Sequence, residues 1–325
     1  MPSINQVADW QDEIQFGKEA VAYGSLAASL NIWGSIGAPE IEPGPEWIDS
    51  GEMGSGVSER QYPEFAVGKT AATIGWSCRA SDVRIGHCLR SLTQSGGALT
   101  AGPPAITLWD ATATPKFPWV AQPATNIGYS LIGSQLDGLA AGSPQFLGAI
   151  CSMFSVESEE GSFAKMAMKW NGTTATMVAA PAATSLMPGS PFMHQHLHIT
   201  LDAVAQTPTK AKIEFTNGLI PFYGTSQVPI DLVLGNLGIK GSFSLPLKVG
   251  LTEYAKFLAK TNVVFTWNYY ITGATAIGSW YSTFDATYSS AKFVDNNGLK
   301  MIDFEWIAAH NATTTLTKTY TAVAL

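Results

Sequence analysis

The chain has 325 residues, enough for two ordinary domains or one large β domain, and 46% hydrophobic residues supply material for a core. Only 13% of residues are charged and mean hydropathy is slightly positive, a thin polar coat for a monomer, so other subunits are expected to cover much of the exterior. Acidic residues outnumber basic ones, 25 to 18, with no Lys or Arg run, which excludes the electrostatic footprint of a nucleic-acid grip.

Cys78, Cys88 and Cys151 form neither a C-x-x-C pair nor an even framework, and MPSINQVADWQDE has no charged-then-apolar signal pattern. The expected site of synthesis is therefore a reducing cytosol. No stretch reaches the ~18 consecutive apolar residues of a membrane span. Without secretion the sequons at Asn171 and Asn311 carry no weight.

In chain order, the first distinctive segment is 34–65, rich in Gly, Pro, Ser and Glu and without a period of 2 or 3.6. It reads as a long loop whose Trp47, Ile48, Tyr62 and Phe65 are apolar anchors for docking. Thr70, Ala72, Ile74, Trp76 and Cys78 then alternate as in a half-buried strand. Asp82 opens the helical spacing Val83, Ile85, Cys88, Leu89. The acid pair Glu159 and Glu160 falls in ESEEGS, which reads as a solvated hairpin turn. Next, GSFAKMAMKWNG puts Met166, Met168 and Trp170 on one strand face.

HLHITLDAV, KAKIEFTNG, NVVFTWNYYI and SWYSTFDATYSSAKFV are rich in β-branched and aromatic residues, with Gly or Asn-Gly at turns. Between them the strand-then-helix order returns. Ile239, Gly241, Phe243, Leu245 and Leu247 alternate, and Leu251, Tyr254, Phe257 and Leu258 step at helical spacing. At an offset of 169, Ile74 meets Phe243, Ile85 meets Tyr254 and Leu89 meets Leu258. NGLKMIDFEWIA aligns Ile302, Phe304 and Trp306 with Met166, Met168 and Trp170 at an offset of 136. Two matches in the same order predict an internal repeat, hence a mainly β chain with short helices and a sandwich or barrel present twice.

Three patterns bear on chemistry. MHQHLHITLDA, residues 193–203, read as a strand puts His194, His196, His198, Thr200 and Asp202 on a polar face, with Leu197, Ile199 and Leu201 opposite. Same-face neighbours lie ~6.8 Å apart, so a tetrahedral zinc at ~2.0 to 2.1 Å draws in two imidazoles and not the third. The other histidines are only His87 and His310, so a solvated face or a subunit contact is favoured over a metal site.

PEFAVGKT resembles a phosphate-cradling loop at Gly68, Lys69 and Thr70, but Pro63 holds the first glycine position and Thr70 begins a strand instead of a helix. No G-x-S-x-G elbow exists. Cys88 occupies a position expected to be buried and inert, with His87 pointing away from it. No catalytic, cofactor-binding or metal residue is assigned, and no cofactor is expected.

Several of these pieces in this order resemble the tail tube (major tail) proteins of long-tailed bacteriophages. The resemblance is carried by QFGKEAVAYGSLAASLNIWGSIG, by RQYPEFAVGKTAATIGWSCRASDVRIGHCLRSL, by FLGAICSMFSVESEEGSFAKMAMKWNG and by AKIEFTNGLIPFYGTSQVPIDLVLGNLGIKGSFSLPLKVGLTEYAKFL, spread over most of the chain.

It implies a tail-tube-type β-sandwich or barrel with a flanking helix, whose inner sheets join those of neighbours in a ring. Rings stack, and a long loop, here 34–65, reaches the adjacent ring. Single-fold members form hexameric rings, and a doubled chain reaches the same pseudo-sixfold ring with three copies. The expected domains are 1–185 and 186–325.

The expected role is a non-enzymatic structural subunit of the virion tail, assembled in the host cytoplasm. Its expected partners are itself in homo-oligomeric rings (a trimer favoured over a hexamer), other tail proteins, and double-stranded DNA that passes without specific binding; no membrane is involved. Three chains at −7 give −21 per ring, repelling a polymer with one charge per ~1.7 Å. The alternatives are a metal-dependent hydrolase on the alternating histidines, or another virion component such as a capsid decoration or tail-completion protein.

Overall fold

The computed structural model describes residues 13–19, 23–27, 30–37, 39–49, 65–94, 106–110, 128–134, 143–178, 185–273, 276, 278–296, 298–309 and 315–320. The first part of the chain holds β1 (Glu13–Lys18), β2 (Asn31–Ile32), β3 (Glu40–Asp49), β4 (Phe65–Arg79), α1 (Asp82–Thr93), β5 (Ile106–Asp110), β6 (Tyr129–Ser134), β7 (Ser143–Glu159), β8 (Lys165–Gly172) and β9 (Thr174–Val178). The second holds β10 (Leu197–Leu201), β11 (Val204–Gln206), β12 (Lys210–Thr216), β13 (Ile220–Phe222), β14 (Asp231–Val233), β15 (Gly238–Pro246), α2 (Leu247–Ala259), β16 (Val263–Tyr269), β17 (Ser279–Asn296), β18 (Leu299–Ala308) and β19 (Thr315–Tyr320).

All pairings between these strands are antiparallel, so the chain is mainly β, as its alternating patterns require. In the first part the neighbours run β2, β1, β6, β7, β8, β4, β3. In the second they run β11, β10, β16, β17, β18, β15, β12, the same order element for element. β9 pairs with the start of β7, and β19 with the start of β17. Each part also has an addition: β5 pairs with β19, and β13 and β14 form a separate two-stranded hairpin.

The registers align the two parts more finely than side-chain pattern does. Trp76 stands opposite Met168, and Phe243 opposite Phe304, so strand β4 maps on β15 at an offset of 167 instead of the 169 expected from sequence. Apolar side chains at every second residue match equally well after a two-residue slip, and only the cross-strand partner resolves it. The offset of 136 from β8 to β18 agrees with these partners. β7 is bulged at Ser152, between Cys151 and Met153, and β17 at Ser289, between Tyr288 and Ser290. Each extra residue faces the step after the equivalent tryptophan, Trp170 or Trp306. A bulge bends its strand, and β7 and β17 are the two strands that pass from one pairing set to the next.

The alternating residues Ala72, Ile74, Trp76 and Cys78 are buried, as are Met166, Met168, Trp170, Ile302, Phe304 and Trp306. α1 starts where expected. Ser81 is its N-cap and accepts from the Arg84 N–H at 3.4 Å, while Val83, Ile85, Cys88 and Leu89 turn inward. Glu159 ends β7 and Glu160 begins the turn after it, where the Ser162 N–H donates to the Glu159 carbonyl. Phe16, Trp33, Trp76, Tyr129 and Trp170 form one aromatic nest. Phe243, Phe265, Phe284, Phe304 and Trp306 form a second. Phe154 and Phe215 stack at 4.8 Å where the two parts meet.

Gly241 shows how tight the second nest is. A Cβ there would lie 2.2 Å from the Lys212 carbonyl oxygen and 2.5 Å from the Trp306 ring, whereas one at Gly34 meets nothing within 4 Å. Gly241→Ala is expected to lower stability by about 1–3 kcal/mol through overpacking, and Gly34→Ala to change it little, as read from urea unfolding midpoints.

His87 projects from α1 against Phe16 and Tyr129. Burial, then the charges of Arg90 and Lys18, push its pKa down to about 3. The unfolded chain therefore takes up a proton near the ordinary value of 6.5 that the folded ring refuses until about pH 3. Stability contributed by the neutral ring is present above pH 6.5 and is lost on acidification, by at most about 1.4 kcal/mol per pH unit. Urea titrations at pH 4 to 7 are expected to show His87→Phe losing less stability over this span than the wild type.

Candidate assembly surface

A sheet ends where a strand leaves its N–H and C=O groups unpaired. β7 is paired along both edges: one carries β9 and then β8, the other β6 and then β12. β17 repeats this on one edge with β19 and then β18. Its other edge carries β16 as far as Ala286, and among the described residues no strand follows along 287–296. At the opposite end of the sheet β3 pairs with β4 alone among the described residues.

The β7–β12 ladder joins the two parts into one sheet. Val156 pairs with Ile213 and Phe154 with Phe215, and all four are buried. Asn217, at the end of β12, donates through Nδ2 to the carbonyls of Leu92 in α1 and Cys151 in β7, at 3.3 and 3.0 Å. Equivalent strand positions differ sharply in cover: Val156 is 0% exposed, and Phe293, which faces β18 as Val156 faces β8, is 57% exposed.

The helices differ in the same sense. α1 packs on β7 and also on β17 and β19 of the second part, and ten of its twelve residues are buried. α2 packs on β15, β17 and β18, and only Gly250 and Glu253 are buried. Leu251 and Leu258, expected on the inward stripe, point out with Val249, at 51%, 63% and 42% exposure. Gly250 is what lets the helix settle, since a Cβ there would sit 3.1 Å from Ile302. The buried Glu253 carboxylate accepts from Tyr288 Oη at 2.5 Å and Lys256 Nζ at 2.9 Å, and Lys256 also reaches Asp202 at 2.8 Å. Tyr254 and Phe257, the rest of the expected stripe, pack against the core, so the stripe is split between an inward and an outward half.

Segment 34–65 is not an unpaired loop throughout, because β3 occupies its middle and pairs with β4 over Glu40–Asp49. Two prolines and a bulge hide that strand from periodicity, while β4 supplies its hydrogen bonds. Trp47 and Ile48 fall on β3, opposite Val67 and Ala66, and Phe65 opens β4. Tyr62 lies outside the described residues. At the corresponding place between β12 and β15, the β13–β14 hairpin exposes Ile220, Phe222 and Ile230 at 60%, 55% and 58%. The sequence reading did not single out this cluster, although the run LIPFYG carries it.

The three histidines do not share a strand face. His194 and His196 belong to a single 3-10 turn, and β10 begins only at Leu197. His194 sits between Ser158 Oγ at 3.1 Å and the Pro208 carbonyl at 2.8 Å. His196 Nδ1 accepts from the Met193 N–H, and His198 stacks on Tyr270 at 3.8 Å. Burial lowers the pKa of both His196 and His198. Asp202, expected on the same face, forms with Ala203 the left-handed turn between β10 and β11. Among the described residues no group of three or more His, Cys, Asp or Glu is placed to hold a metal ion, and His310 lies outside them. The Cys88 thiol is buried in α1 with its pKa raised by burial and by Cys151 beside it, which suits packing and not nucleophilic attack.

The sheet's polar face carries charges of both signs. Lys212 stands opposite Glu157, Lys210 opposite Glu159, Lys240 opposite Glu214 and Lys292 opposite Asp303. Arg79, Lys165, Lys169 and Glu305 share that face. Glu40, opposite Gly75, and Asp285, in step with Thr287 opposite Ile307, share it too, so charges of both signs stand together on this face among the described residues.

A family model described as phage tail tube protein matches residues 11–308, which takes in everything from β1 to β18. No curated protein sequence matches the chain. With that match over most of its length and an antiparallel, mainly β architecture, the chain belongs to the phage tail tube protein family, a structural component of the virion tail.

Proposed function

We propose that the protein is a non-enzymatic subunit that closes with sister copies into rings, that the rings stack into the tail tube, and that DNA leaves through the bore at ejection. The observation that carries this reading is the strand order found twice in one chain, joined internally at β7–β12 and, among the described residues, open at both ends. Two tail-tube-like units, 1–185 and 186–325, let three copies make a pseudo-sixfold ring. An oligomer of this kind satisfies the open edges that would otherwise invite indiscriminate pairing.

The stacking contact is assigned to the two hairpin arms. One is β3–β4 with the intervening 50–64, which holds the docking residues Trp47, Ile48, Tyr62 and Phe65; the other is β13–β14 with its exposed Ile220, Phe222 and Ile230. Assembly takes place in the host cytoplasm, next to other tail proteins. The polar sheet face is the candidate bore wall. DNA slides past it because several of its cations are already held by anions, Lys240 by the opposed Glu214 at 3.0 Å and Lys210 by the diagonal Glu157 at 3.0 Å. Net repulsion, the expectation from the whole-chain charge, is not needed.

Negative-stain electron microscopy of the purified protein is expected to show annuli or hollow tubes, with three chains per ring by mass. Six chains per ring would refute the doubled unit, and discrete monomers at every concentration would refute the ring.

A further inference from the structure

We infer that one copy joins the next by pairing residues 290–294 of β17, antiparallel, with β3 of the partner subunit, in the register the chain already uses between β7 and β12. This rests on the ring reading and gives it a specific joint. The register follows from equivalences on both sides. Val156 faces Met166 in β8 as Phe293 faces Ile302 in β18. Ile213 faces Gly241, and Ile41 faces Ile74, where Gly241 and Ile74 are the residues opposite Trp306 and Trp170.

The internal pair Val156–Ile213 therefore becomes Phe293 opposite Ile41 of the partner subunit, and Ser155–Glu214 becomes Lys292 opposite Glu42 of the partner subunit. An exposed aromatic ring thus takes the place of a fully buried valine, and a lysine shares a register position with a glutamate of opposite charge.

Two further observations agree. Among the described residues, no strand pairs with the edge of β17 beyond Ala286 over the length that β12 covers on β7. α1 is covered by β17 and β19 across the internal joint, so the same relation lays the exposed Val249, Leu251 and Leu258 of α2 against the first part of the next copy. Pro43 and Pro45 take the positions of Phe215 and Asn217, and Asn217 donates its N–H to Ser152 across the internal joint. At those two positions β3 offers carbonyl acceptors and no donors. The joint is weaker for it, and the free edge less able to pair with arbitrary strands.

The test is the double variant E42C/K292C in the full chain, oxidised after assembly, with the register-shifted E42C/F293C as control. Opposed cross-strand positions are within disulfide reach, and adjacent ones point to the other face. Most of the E42C/K292C chain is expected to run as covalent oligomers up to trimer on a non-reducing gel, with each single variant and the shifted pair monomeric. The charge variant K292E is expected to lose rings that E42K/K292E regains. If wild-type rings form and E42C/K292C does not link, or links no more than the shifted pair, this joint is wrong while the ring reading stands. If the wild type forms no rings, both fall.

Discussion

The ladder between β7 and β12 is the constraint on which the rest of the structure depends. Seven consecutive residues of β12, Lys210 to Thr216, pair with β7 and leave no edge between the two parts of the chain. Each backbone bond contributes only about 0.5–1.5 kcal/mol net, but a buried group left unpaired costs about 1–3 kcal/mol. An interrupted ladder would therefore destabilise more than a complete one stabilises. The stacked Phe154 and Phe215 and the buried Val156 and Ile213 lie on the core side of this ladder, so the joint is as apolar as either part.

That one joint also accounts for the asymmetry of the molecule. Two parts with the same strand order do not have the same surroundings. α1 lies under β17 and β19, Asn217 reaches its Leu92 carbonyl, and its thiol and imidazole side chains are held neutral by burial. α2 has no second part beyond it, and its Leu251 and Leu258 face outward. Leu251, Leu258 and Phe293 are exposed where their counterparts in the first part are buried. The low proportion of charged residues has the same origin, since a surface meant for sister copies gains nothing from solvation.

The bulges at Ser152 and Ser289 serve the architecture in both parts. Each lies in a strand too long to stay in one flat sheet, at the step after a buried tryptophan, and bends it. The front of β7 then serves β6 and β9 while its end serves β8 and β12. A polar face with charges set across from one another results on the side away from the helices, at the level where the two parts are continuous.

Sequence alone determined the class of β4, α1, β8, β10, β12, β15, α2, β16, β17 and β18. Burial on one face of a strand requires period 2, and Ile74, Trp76, Met168, Trp170, Phe304 and Trp306 satisfy it without reference to any partner. Asp82 announced α1, whereas the local acceptor that a helix N-terminus needs is Ser81, which only the structure identified. Beyond this, pattern was silent or misleading. β3 escaped notice, since its stability lies in bonds to β4 and not in its side chains. His194 and His196 were spaced like strand residues but are held in a 3-10 turn by contacts to Ser158, Pro208 and Met193. The repeat slipped by two residues because alternation is indifferent to such shifts. Which edge stays open and which leucines stay wet were decided only by tertiary structure, because both depend on what packs from a distant part of the chain.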